Sequence, residues 1–143
     1  MYLTQFLRKD GKPDESYTYS SAEEALHHAS LFVEDDSNLY KKIVVVDAKK
    51  NTVLQLIVFD QDGKPTSFKE GDVVRLRPEF SKEEERRFIY AIRNINDRTM
   101  RFIISCLNSS LILGSSEVVG VEMVSKVGTT VQEILEFAPQ EAR

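Results

Sequence analysis

Apolar and polar residues change their spacing several times along this chain, and each change marks an expected element. Residues 2–7 alternate weakly and run into Asp10-Gly11-Lys12-Pro13, a turn signal of the kind that separates strands, with a short second strand expected over 17–19. The spacing then becomes helical. Ala22, Ala25, Leu26, Ala29, Phe32 and Val33 recur at steps of three and four, which places them on one stripe of a helix over about 22–34. Ser20-Ser21-Ala22-Glu23-Glu24 supplies a hydroxyl three residues before a glutamate, the spacing of a capping box at a helix start.

Lys42-Ile43-Val44-Val45-Val46-Asp47 is β-branched and nearly unbroken, the pattern of a strand buried on both faces or lying centrally. Ala48-Lys49-Lys50-Asn51 reads as a turn, and the alternating run 52–59 closes a hairpin with its predecessor. Residues 1–62 therefore predict a β-β-α-β-β module, and the polar stretch 60–66 reads as a tether to a second module.

Beyond it, Val73-Val74-Arg75-Leu76-Arg77 is an expected strand, and Ser81-Lys82-Glu83-Glu84-Glu85-Arg86 a helical turn capped by Ser81. Residues 87–95 and 100–107 form two strands joined at Asn96-Asp97-Arg98. A three-residue loop there would set Phe88 opposite Cys106, Tyr90 opposite Ile104, Ile92 opposite Phe102 and Arg93 opposite Arg101. With short strands at 111–113 and 118–124, residues 70–127 predict a small closed or half-closed β-barrel. Residues 128–143 form an extension, with a helix or a further strand around 131–137. The fold class expected is α+β: an antiparallel sheet with one helix, then a small barrel.

Gly71-Asp72-Val73-Val74-Arg75-Leu76, the long hairpin and the closing Ser116-Glu117-Val118-Val119-Gly120-Val121-Glu122 resemble the strand order of SH3-like small barrels. Glu84-Glu85-Arg86-Arg87-Phe88-Ile89-Tyr90 and Leu107-Asn108-Ser109-Ser110 are similar in wording to uncharacterised proteins of gut Firmicutes, some of them carried on mobile elements. The resemblance implies a bacterial binding module, since such barrels hold peptides, nucleic acids or other domains. Fold analogy leaves the ligand open.

Charge changes this picture more than overall composition does. Before residue 70 eight of nine cations are lysine, and after it eight of ten are arginine. A planar guanidinium suits ion pairs and bidentate anion contacts, whereas lysine is a solvated point charge, so the two modules are expected to use their surfaces differently. A formal net charge of −4 speaks against affinity gained by blanketing phosphates, which disfavours nucleic acid as the main partner. The single cysteine, Cys106, cannot form an intramolecular disulfide and suits a reducing compartment. No basic leader or long apolar run is present, so a cytoplasmic protein with no membrane partner is expected.

Candidate chemistry is sparse. His27 and His28, the only histidines, point about 100° apart on a helix and cannot chelate one ion alone, so solvated helix residues are expected. Asp60-Gln61-Asp62-Gly63 begins like a calcium loop, but its glycine comes early and Gly71 stands where a bidentate acid is needed. Cys106 shares an expected core face with Phe102 and Ile104 and reads as a small hydrophobe. Nucleophile-elbow, phosphate-loop and dinucleotide signatures do not occur. Neither an enzyme nor a cofactor or metal is expected.

What remains is the outer face of the central hairpin. Like charges at Arg93 and Arg101 would repel if directly opposed, unless an anion bridged them with help from Arg98 and from Arg75 or Arg77. The simpler account has Glu122 or Glu79 neutralise them. Ile89 and Ile103, expected on the same face, make it apolar with an arginine rim, which is the composition of an interface. The reading is a non-catalytic interaction protein that binds a protein partner or its own copy through Arg93, Arg98, Arg101, Ile89 and Ile103. A nucleic-acid-binding barrel is the alternative, and an enzyme of unknown reaction the second alternative.

Overall fold

The computed structural model describes residues 1–9, 11–35, 40–60, 62–108 and 116–128, and the chain divides into two compact units, Met1–Lys69 and Glu70–Arg143. The first contains β1 (Tyr2–Arg8), β2 (Glu15–Tyr19), α1 (Ala22–Asp35), β3 (Tyr40–Asp47), β4 (Thr52–Phe59) and β5 (Pro65–Phe68). They form an antiparallel five-stranded sheet in the order β2-β1-β3-β4-β5. The β-branched run is therefore the middle strand, and consecutive Ile43, Val44 and Val45 are fully buried. Both faces of β3 are withdrawn from water, as its unbroken apolar pattern predicts.

Helix α1 begins where the capping pattern places it, with the Glu24 amide donating to Ser21 Oγ at 3.2 Å and Glu23 and Glu24 in the first turn. Its Ala25 and Ala29 pack with Phe6, Tyr40, Ile43, Val45 and Ile57, and small side chains there let the helix lie close to the strands. Thr4 is also fully buried, and its Oγ1 donates to the Ala25 carbonyl at 3.1 Å, satisfying a polar group in this core.

The stretch expected as a tether is a hairpin turn followed by a fifth strand. Asp60 Oδ1 accepts from the Asp62 and Lys64 amides at 2.9 and 2.8 Å, Gly63 takes φ +79°, and β5 pairs with β4 from Phe59↔Pro65 to Leu56↔Phe68. Proline is tolerated because β5 is an edge strand.

The second unit contains β6 (Val73–Leu76), β7 (Tyr90–Asn96), β8 (Arg101–Cys106), β9 (Ser116–Gly120) and β10 (Val124–Gly128), in the antiparallel order β10-β6-β7-β8-β9. Short 3-10 turns lie at Pro78–Phe80, Glu83–Glu85 and Val121–Met123. This sheet has two ends, β10 and β9, and no pairing joins them among the described residues, so it is not a closed barrel. The expected helical turn is present at Glu83–Glu85, but Ser81 does not cap it: Ser81 Oγ donates back to the Arg77 carbonyl, and Glu85 Oε1 accepts from the Lys82 amide. The strand expected at 111–113 and the helix or strand around 131–137 lie outside the described residues.

The first and last strands of this unit pair along a backbone ladder, and an ion pair ties β10 to the residue just before β6. Asp72 is fully buried, and its Oδ2 meets Lys126 Nζ of β10 at 3.2 Å. Arg77 adds a bond from Nε to the Val124 carbonyl at 3.2 Å. Val73, Val74, Ile89, Ile92, Phe102 and Ile104 are buried to within about a hundredth of full cover, each contributing on the order of 1.5–3 kcal/mol of apolar transfer.

Candidate functional site

The central hairpin does not adopt the register that a three-residue loop would impose. Tyr90 pairs with Cys106, Ile92 with Ile104, Asn94 with Ile103 and Asn96 with Arg101, and the register shifts between Ile92 and Asn94. Two local causes explain the shift. Asn96 Oδ1 accepts from the Arg98 and Thr99 amides, both at 3.1 Å, and Met100 takes φ +54°, so the loop is wider than expected and ends on a left-handed residue. Arg93 is then the additional residue of a β-bulge.

Arg93 and Arg101 consequently do not face each other, and the repulsion that would have demanded a bridging anion is absent. They bracket a different pair instead. Across the three strands β7-β8-β9, Asn94, Ile103 and Val118 form one row, while Asn96, Arg101 and Gly120 form the next. On the other side of Ile103, Arg93 Nε donates to Ser105 Oγ at 2.6 Å, and Ser105 pairs with Ser116. The face therefore reads serine with Arg93, then Ile103 beside Val118, then Arg101 beside Gly120. Ile103 and Val118 are 38% and 62% exposed, which for adjacent branched side chains on a sheet is an open apolar patch.

Ile89, expected on this face, is not there. It is 1% exposed, packs against Val73 and Leu107, and donates its amide to Asn108 Oδ1 at 3.0 Å. It precedes β7, so strand alternation does not govern its side chain. Arg98 is exposed in the loop that joins β7 to β8. Arg75 and Arg77 belong to β6 and the turn after it, and Arg77 is engaged with β10.

The neutralising acid has a partial counterpart. A Cβ placed on Gly120 would collide with the Glu122 carboxylate, so that carboxylate lies over Gly120, next to Arg101 in the ladder. The Arg101 side chain nonetheless makes no ion pair or hydrogen bond among the described residues. Glu122 is one of the two acids expected there; Val118 and Gly120 were not singled out by sequence pattern, because Val118-Val119-Gly120-Val121 has no alternation from which to assign faces.

On the opposite face, Tyr90, Phe102, Ile104 and Cys106 are buried. Burial, reinforced by the Glu117 carboxylate, Cys106 and Glu85, pushes the Tyr90 phenol up to about 12, so it stays neutral at ordinary pH. Cys106 is a free, buried thiol whose Sγ lies 3.6 Å from Asn108 Oδ1. In the first unit His28 is not a solvated residue: its ring lies 5.7, 5.1 and 5.4 Å from those of Phe6, Tyr17 and Tyr19, each in an edge-on arrangement. Among the described residues no group of histidine, cysteine, aspartate and glutamate could hold a metal ion, and no helix is long and apolar enough to cross a membrane.

The chain has no significant match to a protein-family model, a curated protein or a solved structure.

Proposed function

We propose that this chain is a bacterial, cytoplasmic, non-catalytic interaction protein whose second unit presents the outer face of β7-β8-β9 to a protein partner. The observation that carries the reading is the exposed pair Ile103 and Val118, set between Arg93 and Arg101 on one face of the sheet. Apolar contacts exclude water at the centre and guanidinium groups at the rim select the partner. An SH3-like identity for this unit is supported by the order β10-β6-β7-β8-β9, in which the last strand pairs with the first, and by the 3-10 turn between its last two strands.

Replacing both Arg93 and Arg101 by glutamate is expected to abolish capture of the partner from bacterial lysate while the circular dichroism spectrum stays unchanged. Undiminished capture would sink the proposal. Nucleic acid remains the second reading because Phe80, 44% exposed, lies near Arg75, Arg77 and Arg86 in sequence and offers one stacking ring. Single-stranded RNA binding that weakens steeply with salt would favour it. Tyr90 and Phe102, both buried, offer no platform.

A further inference from the structure

Among the described residues the two sheets end in four edge strands, and they are not equally protected. β5 begins with Pro65, and β10 carries a register shift between Lys126 and Gly128 and turns Lys126 toward buried Asp72. Proline, bulges and inward charges are the devices that stop an edge from accepting another strand. β2 has none of these, but the arginine beside it, Arg8, is already paired with Glu15 at 3.8 Å. β9 carries Glu117 on the side of buried Val119 and its Gly120 amide meets Met123 Sδ, but it has no proline or bulge among the described residues, pairs with β8 without a register shift, and borders the Arg101 face.

Hydrogen-bond alternation shows which groups β9 offers. The Val121 amide donates to the Met100 carbonyl at 3.0 Å, so in the antiparallel ladder Val119 and Glu117 also bond toward β8, while Ser116, Val118 and Gly120 turn their amides outward. The Gly120 amide confirms this parity: it meets Met123 Sδ at 3.3 Å. Val118 thus presents both its outward backbone groups and a 62% exposed side chain.

We infer that β9 accepts an extended peptide as a sixth strand, and that this peptide carries an apolar residue beside Val118 and a carboxylate two residues along, beside Gly120. The inference deepens the protein-partner reading above and rests on it. Gly120 has no side chain, so Arg101 can reach across it toward the added strand, which lies about 10 Å away at two strand spacings. A carboxylate there meets the guanidinium. A second copy of β9 is a poorer occupant, since it would bring Ser116 or Gly120 to that place and no acid. Glu122 occupies the spot in the unbound chain and acts as an internal competitor that the peptide displaces.

The test uses the full chain labelled with nitrogen-15 and the synthetic peptide Thr-Glu-Thr-Val-Thr-Glu-Thr, with its lysine counterpart Thr-Lys-Thr-Val-Thr-Lys-Thr. The acidic peptide is expected to bind, to slow exchange of the Val118 amide, and to leave that of Val119 unchanged. Arg101→Glu should weaken it by about tenfold or more and Glu122→Gln should tighten it. Val118→Pro removes only an outward amide, so it should abolish binding with the ladder to β8 intact; if that variant misfolds, Val118 exchange in the unmodified chain decides. Absence of binding, equal binding of the lysine peptide, or an unprotected Val118 amide each overturns strand addition. If Val118 stays unprotected while Arg93→Glu with Arg101→Glu still loses the natural partner, the face reading stands and this one falls. If neither changes, both fall. Sedimentation showing a dimer that Val118→Pro dissolves would assign the edge to a second copy and overturn the peptide proposal.

Discussion

The two units solve the same problem with different material. Among the described residues each has five antiparallel strands, but the first lays α1 across its sheet and the second has no helix beyond short 3-10 turns. In the first unit Phe6, Ala25, Ala29 and Ile57 meet in one core, and its single arginine, Arg8, stacks over the Tyr40 ring at 5.7 Å and pairs with Glu15. In the second, one side of β7-β8-β9 is packed and the other carries Ile103, Val118, Arg93 and Arg101 in the open. Where a helix would have covered the sheet, arginines and two branched side chains face water. The change from lysine to arginine thus accompanies a change in how the sheet face is covered.

The sharpest way to break that contrast is to damage each interior. Lys126→Met leaves Asp72 buried without its counter-ion and should cost about 3–5 kcal/mol in urea unfolding, with much of it recovered when Asp72→Asn is added. Phe6→Ala in the first unit should cost a similar 3–5 kcal/mol or so through the cavity it leaves. If Lys126→Met were neutral, the second unit would not depend on this ion pair to hold β10 to β6.

Alkaline titration separates the units next. Tyr90 keeps its proton up to about 12 when folded, whereas an exposed phenol ionises near 10. Its contribution is fully present below pH 10 and is lost as pH rises from 10 through 12, because the unfolded chain ionises first. Tyr90→Phe should remove that decline in stability, measured by chemical denaturation at each pH. Ser21→Ala, which removes the cap of α1, should cost about 1 kcal/mol. Smallest of all, Ile103→Ser or Arg101→Gln should change stability by no more than about 0.5 kcal/mol, since neither side chain is part of a core. A large loss there would mean that the face is structural and not a binding surface.

Local signals in the sequence carried further than long-range ones. The helix, its Ser21 cap and the central place of Ile43-Val44-Val45 follow from spacing within a few residues, and all three are present. β5 was hidden because Lys64-Pro65-Thr66 has the composition of a linker, and only the edge position makes that composition acceptable. The hairpin register depended on a Met100 in the left-handed region, a conformation that methionine does not advertise. The bulge at Arg93 then moved each upstream pairing back by one residue, short of the expected register. Of the expected surface, Arg93, Arg98, Arg101 and Ile103 are exposed, whereas Ile89 lies in the core. Val118 and Gly120 complete the face from a strand whose apolar run conceals which side it shows, and Glu122 from the turn after it.

The pairing of β10 with β6 also sets an order of events during synthesis. A chain emerging from the ribosome can complete the first sheet once residue 68 is free, since β2, β1, β3, β4 and β5 all precede that point. The second sheet must wait: β6 keeps one side without its partner until residues 124–128 have been made. Throughout that interval Asp72 lacks Lys126, and the nascent second unit displays an acidic, unfinished strand that the completed protein conceals. Vectorial synthesis thus gives this unit the later and slower closure, as the long separation of its first and last strands requires.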